Sequence, residues 1–295
     1  PSAQAQRRAR PAGKPMIDWV MDGLKSAGLD EFIIVVHPDD RELINFYSSE
    51  HKIKIVYQAE RKGAAHALLC AANLIHGDFI LTACDNLVEN EHIQRFIDNF
   101  SNQNNGSHKT RLAVIKTARE NMKNMGMVTW DGNVITNIIE KPSEENVISD
   151  TASIPLYGLP FHFLDYLPMV TPSKRGELEL QDGIQRMINE GIPVFGELLP
   201  GRKTVTDAND LLKINIEFLR SFPLTYITSP IMNVKFTNPC MIEKGAVIGE
   251  YSHIGPDVVI ENGAVIGKYC VISHSVLLRN AVIPDGTSIN NQIIN

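Results

Sequence analysis

Residues 53–86, IKIVYQAERKGAAHALLCAANLIHGDFILTACDN, decide the fold that we predict for this chain. A β-branched run, IKIVY, is followed by an Ala- and Leu-rich segment with the composition of a helix, and then by a second apolar run, DFILTA. Strands and helices that alternate in this way are typical of an α/β domain. The stretch therefore predicts a strand–helix–strand unit with polar residues directly after each strand.

The alternation continues on both sides of this unit, from residue 16 to about residue 225. KPMIDWVMDGLKSAG has Pro15 at a predicted helix start and Gly28 just past the predicted end. EFIIVVH predicts a strand buried on both faces, and RELINFYSS predicts a short helix. We therefore predict a Rossmann-like α/β domain with a mixed, mostly parallel sheet over residues 1–225.

A different period begins at Cys240. An Ile or Leu recurs every six residues from Ile242 to Leu278, with a small or slender residue two positions before each. The pattern slips by one residue after Leu278 and then resumes. A period of six is typical of a solenoid that has one short strand per hexad and directs its apolar side chains inward. It predicts a short parallel β-helix over residues 238–295, after a linker at 226–237.

Composition and charge argue against several classes of protein. The net charge of −6 gives no reason to expect a nucleic acid or an anionic membrane as a partner. No apolar run approaches the ~20 residues that span a bilayer. The four cysteines are scattered and form no CxxC pair, which indicates reduced thiols in a cytoplasmic protein rather than disulfides or a zinc site.

Compact polar clusters follow three of the predicted strands, where ligands bind in open α/β sheets. Asp85 comes two residues after DFILTA, in the triplet CDN, and a carboxylate in that position can bind a hard cation such as Mg²⁺. Glu140 and Lys141 place a hydroxyl acceptor beside a cation that suits phosphate. Gln58 and Gly63 bracket a loop in which an amide can pair with a base edge. A turn or cap for Asp85, and a surface ion pair for Glu140 and Lys141, are the structural alternatives.

Together these stretches resemble the nucleoside-diphosphate-sugar pyrophosphorylases, that is, the sugar-1-phosphate nucleotidyltransferases. The matching stretches follow the family's order: GKPMIDWVMDGLKSAG, QAERKGAAHAL, ILTACDN, MGMVTWDGNVITNIIEKP, SKRGELELQDGI and NDLLKIN. A C-terminal left-handed hexapeptide β-helix also suits this family. The resemblance implies transfer of a nucleotidyl group from a nucleoside triphosphate to a sugar 1-phosphate, with release of pyrophosphate. It favours UTP or dTTP as the nucleotide and glucose 1-phosphate as the sugar.

The resemblance also implies which residues bind the nucleotide and its metal. Gln58 and Gly63 would contact the nucleobase, and Asp85 would act in catalysis by binding Mg²⁺ together with the nucleotide. In many members a second Asp lies at a position where this chain has a threonine. Relatives with the sequence VND use the Asn instead, so the second metal ligand is expected to be Asn209 or Asp207, with a helix cap as the alternative.

The sugar 1-phosphate has its own set of residues in the resemblance. Gly126 would offer a backbone N–H to the sugar, and Glu140 and Glu177 would accept hydrogen bonds from its hydroxyls. Lys141 would contact the sugar phosphate as a second catalytic residue. Pro155 stands where the family has Gly, and because proline has no N–H we expect one backbone contact to be lost there.

The resemblance departs from the chain at its start. The family begins with a buried strand and a Gly-rich loop that wraps the triphosphate with backbone N–H groups. Here the twelve residues before Gly13, PSAQAQRRARPA, contain no Gly and no β-branched residue. We therefore expect the nucleotidyltransferase domain to be N-terminally incomplete, two neighbouring strands to lack a partner, and the activity of this chain to be impaired.

Two other functions stay open at this point. A non-catalytic relative that binds a sugar nucleotide and regulates a partner fits the departures from the family. An acyltransferase that works through the hexapeptide domain would need a base, and the candidates there, His253 and His274, are each expected on a solvated face or corner. In every case we expect a homo-oligomer formed through the β-helix.

Overall fold

A computed structural model describes residues 10–101, 110–205, 207–221, 226–227 and 233–295. The chain divides into two compact units, Met21–Arg202 and a second unit made of Pro1–Val20 with Lys203–Asn295. Residues 1–9, which enter the prediction of a missing strand and loop, lie outside the described residues. The domain boundaries at residues 225 and 238 remain a prediction.

The helices and strands of the first unit follow the predicted alternation. The described α-helices of the whole chain are α1 (Met16–Ser26), α2 (Arg41–Tyr47), α3 (Ala64–Ala71), α4 (Asn90–Ser101), α5 (Leu180–Asn189) and α6 (Ala208–Ser221). Short 3₁₀ helices cover Pro11–Gly13, Ala72–Leu74, Arg119–Asn124, Glu144–Asn146 and Phe161–Met169. The strands of the first unit are β1 (Phe32–Val36), β2 (Ile53–Tyr57), β3 (Phe79–Thr82), β4 (Thr110–Lys116), β5 (Gly126–Asp131), β6 (Val134–Glu140), β7 (Thr151–Leu159) and β8 (Val194–Leu198).

The first unit contains two sheets rather than one. Strand β1 runs parallel to β2, and a separate sheet has the order β3-β7-β4-β8-β6-β5. The mixed α/β class is confirmed, but the sheet is not mostly parallel: among the described strands of this unit, only β1–β2 and β4–β8 are parallel pairs. The difference arises because β5, β6 and β7 form antiparallel pairs with their neighbours. In this part of the chain β1 pairs only with β2, and β3 only with β7.

One hydrophobic core organises the larger sheet. Buried side chains of β4, β7 and α5 meet there, among them Leu112, Tyr157 and Ile184, and Phe163 joins them from the last 3₁₀ helix. The six-stranded sheet is therefore covered by α5 and by the segment Phe161–Met169. This packing holds the carboxyl end of β3 and the ends of β6 and β7 in fixed positions.

The second unit contains the predicted β-helix. Its strands are β9 (Tyr226–Ile227), β10 (Lys235–Phe236), β11 (Cys240–Ile242), β12 (Val247–Ile248), β13 (His253–Ile254), β14 (Val258–Ile260), β15 (Val265–Ile266), β16 (Val271–Ser273), β17 (Ser275–Leu277), β18 (Val282–Ile283), β19 (Ser288–Asn290) and β20 (Ile293–Ile294). They form three parallel sheets with the orders β9-β11-β14-β17-β20, β10-β13-β16-β19 and β12-β15-β18. The six-residue period is thus confirmed as a stack of coils. Two of the strands, β9 and β10, lie in the segment 226–237, which was predicted to be a linker. The backbone of this segment already pairs with the next coil, through β11 and β13.

The position of the slip in the hexad pattern is corrected. The predicted six-residue period places Leu278 opposite Ile260, three hexads earlier. In the structure Ile260 pairs instead with Leu277, which is fully buried in the solenoid core. This coil is one residue shorter because His274, with φ +47°, is the single residue at the corner between β16 and β17. The slip in the six-residue pattern therefore comes before Leu277, earlier in the sequence than predicted. Leu278 instead packs against the cluster that includes Leu219 of α6.

Two further predictions can be compared with the structure. All four cysteines are free, so the absence of disulfides is confirmed. Among the described residues, the helices are too short or too polar for any of them to span a bilayer.

Candidate active site

Asp85 lies in the turn that follows β3 and is half-buried. Its neighbour Asn86 is buried and fixes this turn, since Asn86 Nδ2 donates to the carbonyl of Pro155 at 3.1 Å. The backbone N–H of Ala83 donates to the same carbonyl at 3.2 Å. Asp85 therefore sits on a rigid strand end, as predicted from its place in the sequence.

Pro155 lies in β7, between β3 and β4, where proline cannot complete a regular ladder. The β4–β7 register shifts between Leu112, which faces Tyr157, and Val114, which faces Ser153. This bulge accommodates the missing N–H. The carbonyl of Pro155 meanwhile anchors the Asp85 turn, a role that the sequence did not indicate.

Arg202 is a residue of this site that sequence reasoning missed. It follows β8, and its Nη1 donates to Asn86 Oδ1 at 3.3 Å. Burial lowers the pKa of the Arg202 guanidinium, and the negative charge of Asp85 acts in the opposite direction. A cation that stays half-buried despite this cost favours a site for negative charge. The basic pair in GRKTV, shortly after β8, was the available signal.

Tyr157 connects Arg202 to the other end of the site. Its hydroxyl lies 3.1 Å from Ser153 Oγ and accepts a hydrogen bond from Gln181 Nε2 at 3.3 Å. Burial raises the pKa of Tyr157 to about 12; the charge of Glu140 also raises it, and the charge of Arg202 lowers it. Tyr157 is therefore a neutral hydroxyl between a carboxylate and a guanidinium.

Gly126, at the start of β5, faces the same polar group of side chains. A Cβ at this position would lie 2.6 Å from Ser153 Oγ, 2.9 Å from Glu140 Oε2 and 3.3 Å from Gln181 Nε2. The first two contacts are shorter than real Cβ atoms show, so any side chain here would force Ser153 or Glu140 to move. The glycine thus leaves room beside three polar side chains, as a hydroxyl-rich ligand would require.

Glu140 ends β6 and points its Oε2 into this space. That atom is buried and has no hydrogen-bond partner among the described residues. Burial raises the pKa of Glu140 to about 7, the charge of Lys141 lowers it, and the charges of Glu179 and Glu177 raise it. A buried acceptor without a partner is costly for the protein alone, so its retention points to a ligand.

Lys141 adopts a left-handed backbone conformation, with φ +46°, and its N–H donates to the carbonyl of Met125 at 2.9 Å. Its Nζ lies 3.9 Å from Glu140 Oε1 and 3.9 Å from Glu177 Oε2. The structure therefore brings together four of the predicted sugar-phosphate residues, since Gly126 contacts the same group. The surface-ion-pair alternative fails for Glu140, because its side chain is only 12% exposed.

A second carboxylate in this group, Glu179, was also missed by sequence reasoning. Glu179 is buried and accepts hydrogen bonds from Arg175 Nη2 at 2.7 Å and from Ser173 Oγ at 3.2 Å. Arg175 Nε also lies 3.7 Å from Glu177 Oε2. Burial and the charge of Glu179 raise the pKa of Asp182 nearby. The motif GELELQD places these acids at the site, and Arg175 holds them in position.

The Gln58 loop meets the segment that carries Glu177. Gln58 Nε2 donates to the carbonyl of Gly63 at 3.1 Å and lies 3.0 Å from His66 Nδ1. Gly63 has φ +97°, and a Cβ there would lie 2.6 Å from the backbone oxygen of Leu178. Close backbone packing is therefore a sufficient reason for this glycine. Contact of Gln58 and Gly63 with a nucleobase stays a prediction.

The predicted second metal ligands lie in the other unit. Asp207 Oδ1 accepts a hydrogen bond from the N–H of Asp210 at 2.9 Å and so caps α6, which is the structural alternative for this residue. Asn209 is exposed in the first turn of α6. Pairing of Asn209 with Asp85 at one metal ion stays a prediction.

The family of the chain follows from comparison with known proteins. A family model described as nucleotidyl transferase matches residues 3–203. A second model, described as the GMPPB C-terminal domain, matches residues 236–295. The chain belongs to the nucleotidyl transferase family.

Individual relatives agree with this result. The bifunctional protein GlmU of Methanococcus maripaludis is 29% identical over 80% of this chain, which spans only 55% of that relative. The UTP–glucose-1-phosphate uridylyltransferase AglF of Haloferax volcanii is 30% identical over 61% of this chain and 73% of its own length. Among solved structures, a UDP-glucose pyrophosphorylase complexed with UDP-glucose matches with a TM-score of 0.62 at 18% identity, over 73% of this chain and 91% of that one. This last likeness supports the fold. The chain spans about half the length of the GlmU relatives.

Proposed function

We propose that the chain transfers a nucleotidyl group from a nucleoside triphosphate to a sugar 1-phosphate and releases pyrophosphate. The single observation that supports this most is the space at Gly126. There a buried Glu140 oxygen without a partner, the hydroxyl of Ser153 and the amide of Gln181 surround a position that a Cβ would fill. Such a set of acceptors and donors suits sugar hydroxyls.

The reaction needs charge neutralisation and positioning more than covalent chemistry. An oxygen of the sugar phosphate would form a bond to the α-phosphorus, and the bond from that phosphorus to the β-phosphate oxygen would break. Glu140 and Glu177 would hold the sugar by accepting its hydroxyl protons in hydrogen bonds. Lys141, between these two carboxylates, would approach the phosphate as a point charge.

Asp85 is the residue that fits Mg²⁺ in the first unit. Mg²⁺ is usually held by one or two carboxylates together with substrate phosphates and water, so one half-buried carboxylate on a rigid strand end is a sufficient anchor. When bound, the ion would neutralise negative charge on the phosphates. Asn209 would be its second protein ligand.

We infer UTP or dTTP as the nucleotide and glucose 1-phosphate as the sugar, with the cytoplasm as the location. The uridylyltransferase named among the relatives supports this choice. The GlmU relatives support N-acetylglucosamine 1-phosphate as the competing sugar. Self-association through the β-helix belongs to the same proposal, and the exposed stripe Val247, Val265 and Val282, on successive coils, supports it.

The decisive test is pyrophosphate release with Mg²⁺, each of UTP, dTTP, ATP and GTP, and each of the two sugar phosphates. We expect the highest rate with UTP or dTTP and glucose 1-phosphate. Asp85→Asn should abolish turnover, whereas Asp131→Asn, which removes an exposed carboxylate at the end of β5, should leave it unchanged. Equal rates in both variants and the wild-type chain would contradict the role of Asp85.

Two other results would select the alternatives. Binding of a UDP-sugar without any turnover would identify a non-catalytic relative. Transfer of an acetyl group from acetyl-CoA would identify an acyltransferase, which we do not expect. His253 Nε2 lies 2.8 Å from Thr237 Oγ1, and His274 Nε2 lies 3.3 Å from Asp257 Oδ2, so both candidate bases already have partners in the solenoid.

A further inference from the structure

Arg202 lies close enough to Asp85 and to Tyr157 for its charge to act on both groups. Its guanidinium donates to Asn86, next to Asp85, and its charge acts on the Tyr157 hydroxyl. Asn86 is in turn fixed by the carbonyl of Pro155. The guanidinium is therefore held by a buried amide rather than extended into solvent.

The electrostatic surroundings of Arg202 are incomplete without a ligand. The neighbours that act on its charge are Asp85, which is only half-buried, and Tyr157, which burial keeps protonated. If Asp85 binds a cation, much of its negative charge is directed to that cation. A half-buried guanidinium then gains from another anion, because withdrawing a charge from water without a partner is costly.

Phosphate is the anion that fits this position. A guanidinium presents planar donors that match phosphate oxygens in pairs. The charges of Arg202 and of Glu140, whose Oε2 has no partner among the described residues, both act on the Tyr157 hydroxyl. A molecule with hydroxyls at one end and a phosphate at the other would span these groups.

We propose that Arg202 binds the phosphate of the sugar 1-phosphate and holds it between Asp85 and the sugar pocket of Glu140. This inference rests on the proposed function, because it assigns one further contact to that substrate. It differs from the role of Lys141, whose Nζ already lies 3.9 Å from each of two carboxylates, Glu140 and Glu177. In this proposal Arg202 is the phosphate contact next to Asp85 and Asn86, and Lys141 is a second contact beside Glu140 and Glu177.

The test measures binding without metal or nucleotide, so that turnover is not needed. Dissociation constants for glucose 1-phosphate and for methyl glucoside, which lacks the phosphate, are compared in EDTA for the wild-type chain and Arg202→Gln. We expect Arg202→Gln to weaken glucose 1-phosphate roughly 10- to 100-fold, as for a lost charge-assisted hydrogen-bond pair, and to leave methyl glucoside unchanged. Arg186→Gln, which removes a half-exposed guanidinium from α5, is the matched control and should change neither constant.

A second variant separates phosphate binding from a merely structural role. Asp85→Asn removes the competing anion, so metal-free glucose 1-phosphate should bind several-fold more tightly, and this gain should vanish in the double variant with Arg202→Gln. Affinity within twofold of wild type in Arg202→Gln, or a gain in Asp85→Asn that survives in the double variant, would overturn the proposal for Arg202 alone. If Arg202→Gln does not fold, Arg202→Met, which also removes the charge, replaces it, and unchanged glucose 1-phosphate affinity there would have the same meaning. A wild-type chain that binds neither a sugar phosphate nor a nucleotide would overturn the proposed function and this inference together.

Discussion

Replacement of Glu140 by glutamine should make the chain more stable and less able to bind a sugar phosphate. Glutamine has nearly the same shape but carries no charge. In the wild-type chain, burial raises the pKa of Glu140 to about 7, well above the ordinary value of 4.5. The folded chain therefore binds more protons at this residue than the unfolded chain does.

The sign and size of the effect follow from that difference. The carboxyl group favours the folded state most below about pH 4.5, and this contribution is lost as the pH rises through about 7. The difference in pKa corresponds to roughly 3 kcal/mol, at ~1.4 kcal/mol for each tenfold change in proton affinity. We expect Glu140→Gln to exceed wild type by up to that amount at pH 8 and to match it near pH 5.

Urea unfolding between pH 5 and pH 8 measures this effect. The chain has two tryptophans, Trp19 and Trp130. A Trp19→Phe background leaves Trp130, which packs against the core of the first unit, as the reporter for the unit that contains Glu140. Glu144→Gln, at the exposed start of the 3₁₀ helix that follows Glu140, controls for the loss of one negative charge.

The result that refutes the reasoning is a difference between Glu140→Gln and wild type that does not change with pH. The carboxylate would then be ionised without penalty, through a partner or water that offsets its burial. The same variant should bind glucose 1-phosphate more weakly, because one hydroxyl acceptor is lost. Greater stability together with weaker binding is the pattern expected of a residue kept for its ligand.

The remaining predictions concern packing and capping. Gly126→Ala should destabilise the first unit by roughly 1–3 kcal/mol and abolish sugar-phosphate binding, since its Cβ would overlap three polar atoms, whereas Gly77→Ala, with open space around it, should do neither in the same melting and binding assays. In urea titrations, Leu277→Ala should cost about 2–5 kcal/mol and Leu278→Ala clearly less, because only Leu277 is fully buried; equal losses would contradict the corrected register. Asp207→Ala should reduce the stability of α6 by about 1 kcal/mol with no metal present, and an unchanged circular-dichroism melt would contradict its role as a helix cap.

Local patterns account for most of the elements. The helix at Met16–Ser26, the strands at Phe32–Val36 and Phe79–Thr82, and the six-residue period after Cys240 each depend on residues close in sequence, so periodicity was enough to predict them. The slip of one residue at His274 was misplaced because Leu277 and Leu278 are both apolar. Only pairing with the previous coil distinguishes the buried one.

The site residues also divide into those that local sequence patterns predict and those that they do not. Asp85, Glu140 and Lys141 were predicted because each directly follows a strand, a position that the sequence marks locally. Arg202 and Glu179 were missed, since a charged residue in a loop gives no sign of whether it is buried. Their roles depend on contacts with residues far away in the sequence.

The sequence by itself determined the two architectures, because the spacing of apolar residues sets which side of each strand or helix can be buried. It also determined which chemical groups follow the strands. Only the tertiary structure decided that β7 carries Pro155 through a bulge, that the sheet is largely antiparallel, and that Tyr157 lies between Glu140 and Arg202. The physical reason is that burial and charge interactions are properties of groups brought together in space, and a raised pKa or an unpartnered oxygen exists only once the chain has folded around it.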